Sequence, residues 1–196
     1  MWTDIKTSVR PAITLMLAAV LLTGFIYPML ITGIGQLLFP YQANGSLVVD
    51  HGQVIGSELI GQSFTFDRYF HGRPSAAGNG YDAANSSGSN LGPTSKALVD
   101  RVATDVKKLR TQGITSAIPA DMVTTSASGL DPHVSPETAE LQIHRVASAR
   151  NLPDAEVARV VTASTQGRWL GIIGEPRINV LLLNRQLDAL AVSTAE

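Results

Sequence analysis

Residues 12–39 read AITLMLAAVLLTGFIYPMLITGIGQLLF and contain no charged side chain. About 20 apolar residues are enough to cross the hydrocarbon core of a bilayer as a helix, so this stretch predicts a transmembrane segment. As a helix it is about 40 Å long against a hydrocarbon core of about 30 Å, which favours a tilted or kinked span. Pro28 is the expected position of a kink, because proline removes one backbone hydrogen bond.

The charges around this stretch predict its orientation. Lys6 and Arg10 precede it, and the next Lys or Arg is Arg68. Because basic residues are enriched on the cytoplasmic side of a span, we predict a cytoplasmic segment at 1–11, a transmembrane helix at 12–39 and an extracytoplasmic domain at 40–196. The chain is then a single-pass protein of the inner membrane, with its domain in the periplasm of a cell that has an outer membrane.

A secretory signal peptide is the competing interpretation of the same stretch. The apolar region of a signal peptide spans about 7–15 residues, far fewer than are found here, and it ends at a cleavage site with the pattern small-x-small. The sequence shows no such site before Asn44. We therefore expect the anchor to stay attached to the domain.

Composition limits the function of the residues after the span. About 150 residues remain, enough for one domain with a hydrophobic core. Since Asp4, Lys6 and Arg10 precede the span, 15 of the 16 acidic and 13 of the 15 basic residues follow it. The resulting net charge of about −2 argues against a nucleic-acid partner. The chain has no cysteine, which excludes disulfides and thiolate zinc sites.

The periodicity of apolar residues predicts an α+β domain of about three helices and a small sheet. Apolar runs at 46–49 and 53–56 flank a Gly-containing turn and predict a β-hairpin. Residues 169–173 predict a buried strand, and residues 178–183 fit either a strand or the start of a last helix. The three helices are predicted after Gly92-Pro93 as far as Gly113, from Ser135-Pro136 to about Arg150, and over about 154–164.

Residues 72–92 form a long segment rich in Gly, Ser, Asn and Pro. Aromatic and charged residues on its flanks favour an ordered loop with a function over a mobile linker. Catalytic motifs are absent from the sequence: there is no G-x-S-x-G and no G-x-x-x-x-G-K-[ST]. His71, His133 and His144 form no H-x-x-x-H or H-x-H pair, so we predict no metal site.

The anchor carries a stripe of small residues that includes Gly24 and Gly33, with Pro28 between them. Small residues let two transmembrane helices approach closely, so this stripe favours packing against a partner helix. The pattern indicates a subunit of a membrane complex rather than a protein that acts alone.

Four segments carry a specific resemblance. They are residues 69–75 (YFHGRPS), 85–93 (NSSGSNLGP), 128–136 (SGLDPHVSP) and 174–181 (GEPRINVL). Together with the anchor, and in this order along the chain, they closely resemble the C subunit of the Kdp-type potassium-transporting ATPase of bacteria.

The resemblance implies a non-catalytic accessory subunit of a potassium import complex. Its partners would be a channel-like potassium-binding subunit and a P-type ATPase subunit, and its proposed role in that family is a catalytic chaperone that raises the ATP affinity of the ATPase subunit. Potassium is then the transported ion, and ATP is reached through the complex. Because a cytoplasmic segment at 1–11 is too short for a nucleotide pocket, any effect on ATP affinity is expected to be indirect.

The motif residues that we expect to contact a partner belong to the loops of the domain. In the alternative interpretation they hold turns and pack the core. An independent membrane-anchored periplasmic binding protein or enzyme stays open, and a deep ligand pocket would favour it. A filament or secretion subunit would carry a processing site before its apolar helix, which the sequence lacks. The candidate contact residues are Tyr69, His71, Arg73, Asn85, Asn90, Asp131 and His133.

Overall fold

The computed structural model describes residues 2–50 and 52–193, and the parts of the predicted segments 1–11 and 40–196 that fall on residues 1, 51 and 194–196 lie outside them. The chain divides into two compact units, Met1–Leu47 and Val48–Glu196. Each unit is described by itself below.

The N-terminal unit is a long apolar helix with one irregular turn. Helix α1 (Trp2–Leu21) continues through a π-helical turn (Leu22–Ile26) into α2 (Tyr27–Leu38), and the short α3 (Pro40–Ala43) follows. Ile5–Leu38 is long and apolar enough to span a membrane. Its mean hydropathy is 2.1, and none of its most apolar stretch is buried inside the protein. The π-helical turn lies directly before Pro28 because a wider turn relieves the clash of the proline ring with the preceding backbone.

The second unit begins with a hairpin and a long irregular segment. Strands β1 (Leu47–Asp50) and β2 (Gln53–Ser57) form a two-stranded sheet, as predicted. A 3₁₀ turn (Ala83–Asn85) interrupts the segment that follows. Helix α4 (Lys96–Thr111) then ends just before Gly113, whose φ of 92° is a left-handed conformation that glycine adopts readily.

The core of this unit is built on a small antiparallel sheet with four helices. Strand β5 (Arg177–Asn179) lies between β3 (His133–Val134) and β4 (Thr165–Gln166), with Val134 and Thr165 both opposite Ile178. The helices are α5 (Pro136–Glu140), α6 (Ile143–Arg150), α7 (Asp154–Ser164) and α8 (Val180–Ser193). The α+β fold class is thereby confirmed. The core residues are Phe70, Val134, Ala139, Val146, Ala147, Val157, Val160, Val161, Ile178, Val180, Leu183 and Leu187.

The helix predicted from Ser135 to Arg150 is wrong as a single element. It is capped as predicted, since the Ser135 hydroxyl accepts from Thr138 N, but it breaks at Leu141 and Gln142. The Gln142 N–H donates to the carbonyl of Ala139, three residues back, at 2.9 Å. This tighter turn positions the Gln142 side chain for long-range contacts that periodicity alone does not reveal.

The buried strand predicted at residues 169–173 is also wrong. The Trp169 N–H donates to the carbonyl of Ile173 at 2.8 Å, which closes a tight exposed turn. Gly171 within the apolar run and Gly174 directly after it, with φ of 77° and 87°, reverse the chain. Residues 178–183, for which a strand and a helix were both open, contain the two in succession, because β5 ends at Asn179 and α8 begins at Val180.

Candidate functional site

Two buried carboxamides hold consecutive residues of the YFHGRPS segment. On α8, Asn184 Oδ1 accepts from Phe70 N at 2.8 Å, and Asn184 Nδ2 donates to Phe70 O at 3.0 Å. At the α5–α6 break, Gln142 Oε1 accepts from His71 N at 2.8 Å, and its Nε2 donates to His71 O at 3.2 Å. The backbone N–H and carbonyl groups of Phe70 and His71 are therefore paired by side chains and not by a neighbouring strand.

Arg145 holds the residues that come just before Phe70 in the chain. Its Nη1 donates to the carbonyls of Asp67 at 2.6 Å and Tyr69 at 3.0 Å, and its Nη2 donates to Gln142 Oε1 at 2.7 Å. Burial lowers the pKa of the Arg145 guanidinium, and the Asp67 carboxylate counteracts this. The side chain remains a cation because arginine stays protonated in proteins.

A second node joins Arg73 to Asp131 and His133. Arg73 Nη1 lies 3.0 Å from Asp131 Oδ2, and both side chains are about one-quarter exposed. Asp131 Oδ1 accepts from the His133 N–H at 3.0 Å and lies 3.4 Å from His133 Nδ1. Burial alone would raise the pKa of Asp131, but the hydrogen bonds from His133 and the charge of Arg73 outweigh it and hold that pKa below its ordinary value.

Tyr81 packs beneath this node. Its hydroxyl donates to the carbonyl of Arg73 at 2.7 Å, and its backbone N–H donates to Ser75 Oγ at 2.8 Å. Burial, with a smaller effect from the Asp131 carboxylate, raises the pKa of Tyr81 to about 12. Tyr81 therefore acts as a neutral hydrogen-bond donor throughout the physiological range.

Tyr69 lies in a separate cluster of charged groups. Its hydroxyl donates to Asp188 Oδ2 at 3.1 Å, and Arg150 Nη2 donates to the other carboxylate oxygen at 2.9 Å. The guanidinium carbons of Arg68 and Arg150 lie 4.8 and 5.3 Å from the centre of the Tyr69 ring. Cations at these distances are attracted by the face of an aromatic ring. The cluster joins the start of the motif to α6 and α8.

The Gly- and Ser-rich loop is tied to the SGLDPHVSP segment. Ser75 Oγ donates to the carbonyl of Gly129 at 2.6 Å, while Ser86 Oγ and Ser87 N donate to that of Ser128 at 2.9 and 3.0 Å. Gly129 has a φ of 67°, and a Cβ there would lie 2.6 Å from Ser87 O and 2.7 Å from Ala77 N. Glycine is therefore required for this close approach of two loops.

A cleft of about 530 Å³ opens between this network and α4. His71 lies on its wall, and burial together with the nearby Arg145 cation lowers the pKa of His71. The cationic groups Lys108 and Arg145 could hold an anion here. Within residues 2–50 and 52–193, no group of three or more His, Asp or Glu side chains is arranged to hold a metal ion. The polar residues on the cleft wall include His71, Arg73, Tyr81, Lys108, Gln142 and Arg145.

The structure brings together some of the predicted contact residues and separates others. The side chains of Arg73, Asp131 and His133 form one node, with the His71 backbone in the adjoining carboxamide pairs and Tyr69 in the Asp188 cluster. Asn85 instead donates locally to Asp82 Oδ2 at 2.6 Å. Asn90 is exposed and has a φ of 51°. These two asparagines therefore lie outside the network.

The anchor residues lie in the other unit. Gly33 has no atom within 4 Å of the position of a Cβ, and Gly24 lies inside the π-helical turn, two residues before its end at Ile26. Lys6 and Arg10 are exposed on α1. The described part of this unit thus leaves its small-residue positions open to another helix.

Sequence reasoning missed the residues that organise the network. Gln142 lies three positions after Ala139 and four before Val146, on the face that was predicted to be apolar. Asn184 lies four positions after Val180 and three before Leu187, again on a buried face. A single polar residue on a buried face is the signal that could have identified both, since a buried carboxamide requires partners.

Comparison with known proteins shows the family of the chain. A family model described as KdpC: K+-transporting ATPase, c chain, matches residues 9–189. The chain belongs to the KdpC family. The resemblance found from four segments of the sequence is confirmed, and KdpC membership makes the chain a subunit of a potassium-transporting ATPase.

Relatives of this KdpC-family chain match it along most of its length, and each carries the name Potassium-transporting ATPase KdpC subunit. The proteins of Bradyrhizobium diazoefficiens and Methylobacterium nodulans are both 54% identical to this chain, and each match covers 93% of it. The matches cover 97% of the Bradyrhizobium protein and 96% of the Methylobacterium protein. The protein of Gemmatimonas aurantiaca is 56% identical over 94% of both chains. The KdpC match therefore includes both the anchor and the domain.

Proposed function

We propose that this chain is the non-catalytic, membrane-anchored subunit that assembles a channel-like potassium-binding subunit with a P-type ATPase subunit. The observation that carries the proposal is that polar side chains form hydrogen bonds to the backbone of a motif segment. The side chains of Gln142, Asn184 and Arg145 donate to, or accept from, the backbone of residues 67–71. Polar groups engaged in this way support a rigid surface for a partner better than they support chemistry on a substrate.

The orientation is part of the proposal. Lys6 and Arg10 precede the uncharged residues 12–39 and favour a cytoplasmic N-terminus, with the domain on the extracytoplasmic side of the inner membrane. ATP is bound in the cytoplasm, so the domain and the nucleotide lie on opposite sides of the membrane. An increase in the ATP affinity of the ATPase subunit then requires that binding of this subunit favour one conformation of the complex.

The test is potassium-stimulated ATP hydrolysis by the purified complex with and without this subunit. We expect the other subunits to separate, or the ATP concentration for half-maximal rate to rise, when the subunit is omitted. Separation identifies assembly as its first role, whereas an intact complex with weaker apparent ATP affinity identifies an allosteric activator. An intact complex with an unchanged rate at every ATP concentration contradicts the proposal.

A pair of exposed asparagines offers a matched test of partner contact. Asn90 and Asn151 are both exposed and have φ of 51° and 54°, so glycine replaces either of them without backbone strain. Asn90 belongs to a motif segment, whereas Asn151 ends α6. We expect Asn90→Gly to lower the yield of co-purified complex and Asn151→Gly to leave that yield unchanged. Equal yields would remove Asn90 from the interface.

The cleft favours a second candidate function, an independent membrane-anchored binding protein. The cations Arg73, Lys108 and Arg145 outnumber the carboxylates of Asp67 and Asp105 on its wall, which favours a small anion. Binding of inorganic phosphate to the full chain alone, lost in Lys108→Gln, would support this function. Absence of phosphate binding would leave the cleft without support as a ligand site.

A further inference from the structure

Residues 169–173, here called the apolar tip, present four large hydrophobic side chains to solvent. Trp169, Leu170, Ile172 and Ile173 are 67%, 73%, 76% and 56% exposed. Contiguous patches of exposed apolar side chains mark sites of contact with a protein or a membrane. The established family membership does not say what covers these residues.

Four of the five backbone N–H groups of the apolar tip are already paired within the turn. Trp169 and Ile173 exchange hydrogen bonds, at 2.8 Å from Trp169 N to Ile173 O and at 3.0 Å from Ile173 N to Trp169 O. The Gly171 N–H donates to the carbonyl of Arg168 at 3.1 Å. A loop with internally paired polar groups can enter an apolar phase at a lower free-energy cost, because unpaired groups cannot bond to water there.

Leu170 adopts an unusual conformation for its residue type. Its φ is 52°, in the left-handed region where Gly and Asn are the common residues. Leucine at such a position costs folding free energy, and such strain is found where a function requires the side chain. The turn therefore retains a large apolar group at its apex where Asn would fit the backbone better.

Basic residues flank the apolar tip. Arg168 lies 2.7 Å from Glu175, which neutralises one positive charge, and Arg177 at the base is bonded to the uncharged Gln166 at 3.3 Å. The net charge of this rim is positive. Tryptophan beside aliphatic residues, with arginine nearby, is the composition of segments that lie in a bilayer interface and contact anionic headgroups.

Only a short segment connects the candidate span to the domain. Eight residues, 39–46, separate the end of α2 from the start of β1. Even fully extended, eight residues reach at most about 29 Å. We propose that the apolar tip inserts into the interface of the membrane that holds the anchor, as a second and independent lipid contact of this chain.

The sequence provides a direct probe of this contact. It contains two tryptophans, Trp2 and Trp169, so Trp2→Phe leaves Trp169 as the single fluorophore. The full-length Trp2→Phe chain is reconstituted alone into vesicles of phosphatidylethanolamine and phosphatidylglycerol, with or without bromine on the acyl chains. We expect Trp169 in vesicles to emit at a shorter wavelength than Trp169 of the unfolded chain in detergent. We also expect the brominated lipid to quench this emission.

Variants of the apolar tip distinguish its insertion from non-specific adsorption of exposed apolar side chains to lipid. In the Trp2→Phe background, Leu170→Asn with Ile172→Thr keeps the probe and suits the left-handed backbone at position 170. Loss of two inserted side chains should reduce the partitioning of the tip, read from the quenched fraction, by about tenfold or more. Val54→Thr with Val99→Thr changes two side chains that are 60% and 59% exposed elsewhere and should leave the quenching unchanged.

Two results would overturn the proposal. One is a Trp169 that stays accessible to aqueous acrylamide and is not quenched by brominated lipid. The other is a Trp169 that becomes protected only when the remaining subunits of the ATPase are added, which would assign the apolar tip to a protein interface. Retained helical circular dichroism in the tip variant ensures that reduced quenching reports on insertion and not on unfolding.

Discussion

The carboxamide of Asn184 binds both backbone groups of Phe70, 114 positions earlier in the chain. Both residues are buried, with 2% and 0% exposure. The contact links the C-terminal helix α8 to the first motif segment, and it makes one side chain responsible for two buried backbone groups.

Replacement of that carboxamide should strongly destabilise the domain. Asn184→Leu leaves the N–H and carbonyl of Phe70 without their partner, and each unpaired buried group costs about 1–3 kcal/mol. We expect the free energy of unfolding to fall by about 2–6 kcal/mol, measured by denaturant titration of the full chain in detergent. Gln186→Leu, at an exposed position on the same helix, is the control and should change stability far less. Equal stabilities of the two variants would contradict this account of Asn184.

The Arg73–Asp131–His133 node predicts a loss of stability in acid. The pKa of Asp131 is held below its ordinary value, so the unfolded chain binds a proton more readily than the folded chain. Its contribution is therefore complete above about pH 4, the ordinary pKa of Asp, and is lost as pH falls through the lower folded pKa. In Asp131→Asn, the decline of the melting temperature over this acidic range should be smaller than in the unchanged protein. Parallel declines would exclude Asp131 as a source of the acid sensitivity.

His71 predicts a second pH effect at higher pH. Burial and then the Arg145 cation lower its pKa, so the folded chain favours the neutral ring. The contribution of His71 to stability is complete above its ordinary pKa of about 6.5 and is lost as pH falls through the lower folded value. NMR titration of the ring should give a higher pKa in Arg145→Gln than in Arg145→Lys, which keeps the charge. A pKa that is the same in both variants would exclude the charge of residue 145 as a cause.

Gly129 predicts a large effect of one methyl group. Gly129→Ala forces alanine into a left-handed conformation, at a cost of about 1–3 kcal/mol, and places its Cβ against Ser87 and Ala77. We expect a lower melting temperature and faster proteolysis of the 72–92 loop. Gly167→Ala is the matched control, because nothing lies within 4 Å of its added Cβ. A stable Gly129→Ala protein with an uncut loop would show that the two loops separate without cost.

The anchor predicts an effect that depends on the partner. Gly33→Leu adds a side chain into space that is open in this chain, so membrane insertion should be unaffected. If another helix packs there, loss of about 1–2 kcal/mol of helix association lowers recovery of the complex about fivefold to thirtyfold. Co-purification of the other subunits measures this recovery, with Ile31→Leu as the control in the same span. Full recovery with Gly33→Leu would remove this face of the anchor from the interface.

The sequence predicted those features that depend on local patterns. Helix α4 and its end before Gly113, the Asp154–Ser164 helix and the apolar span follow from periodicity, capping and hydropathy. The break at Gln142 was missed because its cause is a contact 71 positions away. The exposed turn at 169–173 was missed because an apolar run indicates burial but does not say against what, and glycines within and directly after the run reverse it. Of the predicted contact residues, Arg73, Asp131 and His133 lie together in the structure and Asn85 and Asn90 lie apart from them, while the buried carboxamides were not predicted.

The pairing of Phe70 with Asn184 also determines when the domain can close during synthesis. At about 5–20 residues added per second, the ribosome reaches Asn184 about 6–23 s after Phe70. Throughout that interval the motif segment lacks the helix that completes its pairing. A chain that stops before α8 therefore cannot close its core and would remain an open substrate for proteases. The C-terminal helix thus makes completion of the chain a condition for a folded subunit.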